Sequence, residues 1–231
     1  MLIATVFIVR SNKKRRKMSI PINMPRNKHY GSNYIETYSI KNNRVIRLFS
    51  NLEYYNFLTV ELEQSIVSFT EQPSKVTIYE DPELGSSVFD MYILRNTGIE
   101  EFWEVKYNSE LNDRRSESQT NLQQLWCEEK GYIYRIRTED DIILSPIYIS
   151  NLSYIYHRLL LIDYKTIRER SFSILKEIST HKTTTIKALR EKGFDIEDIL
   201  DSLAYLYYYN IFVVNTPNIQ LGCYPSCCLS C

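Results

Sequence analysis

Three ionisable side chains inside two apolar runs limit the folds open to this chain more than any other feature. Asp90 stands within residues 88–93, and Glu104 and Lys106 flank Val105 within residues 102–107. Runs of this kind read as strands largely withdrawn from water, where an uncompensated charge is costly. On a strand, Glu104 and Lys106 share a face while Val105 points the other way. Asn96-Thr97-Gly98 between the runs is a turn signal, so a hairpin is expected that brings Asp90 beside Glu104. Two convergent carboxylates suit a hard cation, because magnesium takes one or two of them and fills its shell with water and phosphate oxygens. A neighbouring lysine can orient or help deprotonate a water for in-line attack on a phosphodiester. The bare D…ExK spacing also arises by chance, and an exposed ion pair between Glu104 and Lys106 would give the same letters.

Around this hairpin the chain reads as strand, helix, several strands, helix, strand over residues 34–149, an α/β plan. Ser50-Asn51-Leu52-Glu53 has the form of a capping box, and Leu52, Tyr55, Leu58 and Leu62 follow at helical spacing. Glu53 therefore lies in the first turn of a helix, either as the capping glutamate or as a further acid for the hairpin. Residues 66–69 and 76–79 read as neighbouring strands. Residues 112–130 read as a helix with Leu122, Leu125 and Trp126 on one side and Gly131 as its C-cap.

From Asn151 the periodicity becomes helical, with Leu152, Ile155, Leu159 and Ile162, then Ile174, Leu175 and Ile178. Residues 183–192 and 197–209 read as two more helices around Gly193. Residues 211–214 and 219–221 flank a Thr216-Pro217-Asn218 turn, the order of a winged helix. Lys182, Lys187, Arg190 and Lys192 gather positive charge on one expected helix, either for DNA phosphates or as a solvated face. Tyr205, Tyr207, Tyr208 and Tyr209 suit core packing better than base stacking.

The chain of 231 residues carries 28 basic and 28 acidic side chains, so any nucleic-acid surface has to be local. The apolar opening, residues 1–9, is too short to span a bilayer, and the basic run 13–17 follows it rather than preceding it, the reverse of a signal peptide. An intracellular, cytoplasmic protein without a membrane partner is expected. Met18 offers a second translation start, so residues 1–17 are given no structural role. Five cysteines, with Cys127 alone in a helix, argue against a disulfide framework. Cys223, Cys227, Cys228 and Cys231 read as a frayed tail rather than a metal site.

The segments Leu52-Glu53-Tyr54-Tyr55-Asn56-Phe57-Leu58, Glu71-Gln72-Pro73, Phe89-Asp90, Trp103-Glu104-Val105-Lys106, Gly131-Tyr132 and Thr138-Glu139-Asp140-Asp141-Ile142 occur in this order. Together they resemble the N-terminal domain of TnsA, the endonuclease subunit of heteromeric transposases, over about residues 45–145. The resemblance implies an α/β fold with a restriction-endonuclease-like PD-(D/E)xK core and a C-terminal all-helical, winged-helix domain. The expected division is a flexible basic tail (1–29), the endonuclease domain (30–150), a winged-helix-like DNA- and partner-binding domain (151–222) and a Cys-rich tail (223–231). It implies that Glu53, Asp90 and Glu104 gather magnesium, with manganese as a substitute, and that Lys106 serves the attacking water. Glu63 and Gln123 are weaker candidates. The implied act is cleavage of the 5′ strands at transposon ends, alongside a TnsB-like transposase subunit and a TnsC-like ATPase regulator. Phe89 stands where restriction enzymes carry proline, and the loop 81–87 is short, which leaves the DNA contacts open. An idle nuclease-fold docking module and a stand-alone restriction or repair nuclease are the alternatives.

Overall fold

The computed structural model describes residues 21, 33–73, 75–77, 86–181, 183–211, 213–214 and 228–230. Strands β1 (Ile35–Ser39) and β2 (Arg44–Leu48) form an antiparallel hairpin, turned at Asn43 with φ +53°. Helix α1 (Asn51–Leu62) starts as its capping sequence requires: Ser50 Oγ accepts from Glu53 N at 3.0 Å. Next come β3 (Ile66–Glu71), β4 (Lys75–Thr77), β5 (Ser86–Val88), β6 (Met91–Arg95) and β7 (Glu100–Val105). Helix α2 (Arg114–Lys130) then crosses to β8 (Ile133–Arg137), and the short α3 (Glu139–Ile142) leads out of the sheet.

The central sheet has the order β3-β6-β7-β8, antiparallel except for the parallel pair β7–β8 that α2 connects. The expected β6–β7 hairpin is present. Gly98 turns it with φ +84°, a conformation that glycine adopts without a Cβ penalty. Asp113 caps α2 through Arg115 N and Ser116 N, and Gly131 ends it in the left-handed region at φ +72°.

Side chains alternate along β7 and divide the core. Phe102 joins Phe89, Tyr92 and Cys127 beneath α2, whereas Trp103 joins Met91, Ile93 and Phe57 on the α1 side. Burial pushes the Cys127 thiol up to about 12. Helix α2 buries Leu122, Gln123 and Cys127, while Leu125, expected on the inner face, is exposed.

The α1-side core runs without a break into the C-terminal half. Helix α4 (Pro146–Leu161) packs Leu152, Ile155, Tyr156 and Leu159 into it. Helices α5 (Ile167–His181) and α7 (Ile196–Tyr208) add Ile174, Ile178, Leu203 and Leu206. The boundary expected at 150/151 thus falls inside one helix. Ser145 caps it and Pro146 occupies its first turn, so α4 begins before the expected boundary and carries one apolar stripe across it. Two expectations about single elements are corrected. Residues 76–77 pair with β5 in a separate two-stranded sheet rather than beside β3. Residues 183–192 do not form one helix: Thr183–Thr185 is strand β9, and Thr185 then caps α6 (Ile186–Glu191).

Strands β10 (Val213–Val214) and β11 (Cys228–Ser230) complete a three-stranded antiparallel sheet of order β10-β11-β9. The strand returning to β10 therefore comes from within the supposed cysteine tail. The run 219–221 expected in that place lies outside the described residues, as do residues 1–17, Lys182 and the other three tail cysteines. Among the described residues no helix is long and apolar enough to cross a membrane.

Candidate active site

The register of the central hairpin assembles the acids. Met91 lies opposite Trp103, so Asp90, one residue before β6, faces the end of β7, and its Oδ2 accepts from Val105 N at 2.7 Å. Glu104 is 3% exposed and holds Lys106 at 3.1 Å, Nζ to Oε1. Glu53 enters from the first turn of α1, where its Oε2 accepts from Phe49 N at 3.1 Å. The structure thus brings Glu53, Asp90, Glu104 and Lys106 to one place.

Helix α2 supplies two residues beneath them, Gln119 and Gln123, four positions apart and so on one face. Gln119 Nε2 donates to Glu104 Oε1 at 2.8 Å, and Gln123 Nε2 donates to Glu104 Oε2 at 2.7 Å. Lys106 Nζ also donates to Gln119 Oε1 at 3.2 Å, and Tyr134 OH donates to Gln123 Oε1 at 2.6 Å. Gln123, a weaker candidate on sequence grounds, is therefore a direct partner of Glu104. Gln119 was not foreseen, although its spacing from Gln123 was the available signal.

All three carboxyls are raised, and like charge contributes at Asp90 and Glu53. Burial pushes Asp90 well above the usual carboxylate range, and the nearby charges of Glu104 and Glu53 add to the shift. Burial raises Glu53 to about 7, with Glu104 adding to it and the Phe49 N–H opposing it. Glu104 is raised by burial against the pull of Lys106, Gln123 and Gln119. Burial is the first cause of all three shifts and like charge adds at Asp90 and Glu53, a combination common at functional sites.

The donors are hard oxygens, the chemistry that magnesium or manganese prefers. The bonds to Asp90 and Glu53 fall on Asp90 Oδ2 and Glu53 Oε2, whereas both oxygens of Glu104 are occupied. Among the described residues no three His, Cys, Asp or Glu side chains converge closely enough to grip a metal. The three acids are neighbours rather than a closed ligand triad. An ion held there would have to draw the rest of its shell from water and phosphate oxygens.

Glu63 does not join the site. It is the C-cap of α1, about 15 Å along the axis from Glu53 at 1.5 Å per residue. There it binds Arg95 Nη1 at 2.6 Å. Of the basic group, Lys187 and Arg190 are exposed on α6, with Lys187 Nζ 3.8 Å from Glu191 Oε1. Lys192, at the end of that helix, pairs with Glu177. Tyr205, Tyr207 and Tyr208 pack against the main core.

A family model described as TnsA-like endonuclease N terminal matches residues 63–139, a third of the chain. The matched span holds Asp90, Glu104, Lys106, Gln119 and Gln123, together with all four strands of the central sheet, and begins after Glu53. This part of the chain is similar to TnsA-like nucleases related to transposase subunits. No curated protein matches the chain.

Proposed function

We propose that the chain is a magnesium-dependent DNA endonuclease subunit of a heteromeric transposase, cutting the 5′ strands at transposon ends. One observation carries this reading: the segment similar to TnsA-like endonucleases is the segment that lays Asp90, Glu104 and Lys106 against one another at the end of β7. Asp90 and Glu104, with Glu53 alongside, would hold the magnesium, for which manganese could substitute. When bound, that ion supplies charge stabilisation at the scissile phosphate. The residues of the chain have separate tasks. Lys106 Nζ orients the attacking water and assists loss of its proton. Gln119 and Gln123 fix the Glu104 carboxylate, and the Val105 N–H fixes that of Asp90.

The C-terminal half is a winged helix in this reading. It has the order α5-β9-α6-α7-β10-β11, and its sheet places β11 between β9 and β10. It would serve double-stranded DNA, with Lys182, Lys187, Arg190 and Lys192 as phosphate contacts, and would dock a TnsB-like transposase subunit and a TnsC-like ATPase regulator.

The saturation of both Glu104 oxygens by amides and lysine favours a second reading, in which the fold is retained as an idle docking module. The deciding assay is cleavage of labelled transposon-end DNA by the chain with its partner subunits and magnesium, native against Asp90→Ala. Loss of only the 5′-side cut in the variant supports the nuclease. Equal cutting by both forms removes the assigned site, and no 5′-side cut by either, with active partners, leaves the docking module.

A further inference from the structure

Gln72 joins three features that packing does not explain. Its φ is +37°, in the left-handed region that side chains other than glycine rarely enter. Pro73 follows it, and a residue before proline is driven toward extended backbone, so the conformation is disfavoured twice. It is also 4% exposed and touches two of the acids. Gln72 N donates to the Asp90 carbonyl oxygen at 3.0 Å, and Gln72 Nε2 donates to Glu53 Oε2 at 3.4 Å.

A turn alone does not call for this residue, because glycine would meet the backbone requirement without strain. What glycine lacks is the amide. Strained conformations persist where the surroundings over-determine them, and such residues cluster at functional sites. The two contacts run to different parts of the fold. The N–H grips the backbone of the residue that precedes β6, and the side chain grips the carboxylate that α1 carries.

We infer that Gln72 is a positioning residue that ties Glu53 to Asp90, so that both acids serve one divalent cation. The role rests on the magnesium-dependent reading above. Gln72 touches neither substrate nor metal in this arrangement; it acts through the acids, as outer partners of metal ligands do.

The test measures manganese binding to the full-length chain by the electron-spin signal of free Mn²⁺, beside thermal melting in chelator. Gln72→Gly, Gln72→Ala and Asp90→Asn are compared with the native chain. Gln72→Ala keeps the backbone strain and Gln72→Gly relieves it, so the glycine variant is expected to melt higher than the alanine variant. Both are expected to bind manganese about ten-fold more weakly than the native chain, because both lack the amide. Native affinity in Gln72→Gly would overturn the role, as would affinity that simply follows the melting temperature through the series. The underlying metal reading fails separately, if the native chain shows no manganese uptake that Asp90→Asn removes, and the role of Gln72 then falls with it.

Discussion

Stripped of divalent cations, the chain is expected to lose stability as the pH rises from 5 to 8, and Asp90→Asn is expected to recover part of the loss. Glu53 moves from 4.5 to about 7 in the folded state, and Asp90 and Glu104 move in the same direction. A carboxyl raised in this way keeps a proton that the unfolded chain releases. Its contribution is complete below the unfolded value, near 4, and is lost as the pH climbs through the folded one. At about 1.4 kcal/mol per unit, the Glu53 displacement alone is worth about 3 kcal/mol. In a chain of this size about 1 kcal/mol shifts the melting temperature by roughly 2–4 °C, so a fall of roughly 6 °C or more is expected. Asparagine at position 90 still accepts from Val105 N, removes one like charge and turns an amide toward its acidic neighbours. The variant should therefore melt above the native chain at pH 8 and close to it at pH 5. Circular-dichroism melting in chelator from pH 5 to 8 measures both effects. A melting temperature that is flat or rising with pH, or a variant no more stable than the native chain at pH 8, would refute the crowding argument.

Two other perturbations follow from the packing. Gln123→Leu removes the amide shared by Glu104, Ser87 and Tyr134 and leaves a buried carboxylate short of a donor. It should cost about 2–3 kcal/mol in denaturant unfolding, and a loss under about 0.5 kcal/mol would show that α2 does not hold Glu104. A chain ended after residue 150 loses Leu152, Ile155, Tyr156 and Leu159 from the core that also holds Phe57 and Trp103. It should bind a hydrophobic dye and melt without cooperativity, whereas a sharp transition would show that the first half has a core of its own.

Where signals are local, the sequence was legible. Ser50 announced α1, Gly98 the β6–β7 hairpin and Gly131 the end of α2, because caps and turns are fixed by a few adjacent residues. The neighbourhood of Asp90, Glu104 and Lys106 followed from strand alternation. Pairing across a long loop was not legible: nothing near residues 75–77 says that their partner is β5 rather than β3. The continuity of α4 was missed for another reason. Helical spacing shows that Leu152, Ile155 and Leu159 share a face but does not name what covers it, and Ser145-Pro146 is the local signal for where α4 begins. Thr183, Thr184 and Thr185 read as the start of a helix because a capping threonine and a strand threonine look alike without a partner strand.

With all groups ionised, Glu53, Asp90 and Glu104 carry three negative charges against the single positive charge of Lys106. The amino end of α1 points its dipole into this imbalance, but a helix terminus contributes only about 0.3–1 kcal/mol. That is small beside the roughly 3 kcal/mol tied up in the displacement of Glu53 alone. Backbone dipoles therefore cannot balance the cluster. The valence left over is two, which protons offset in the chelated chain and which one alkaline-earth ion would offset in the function proposed above.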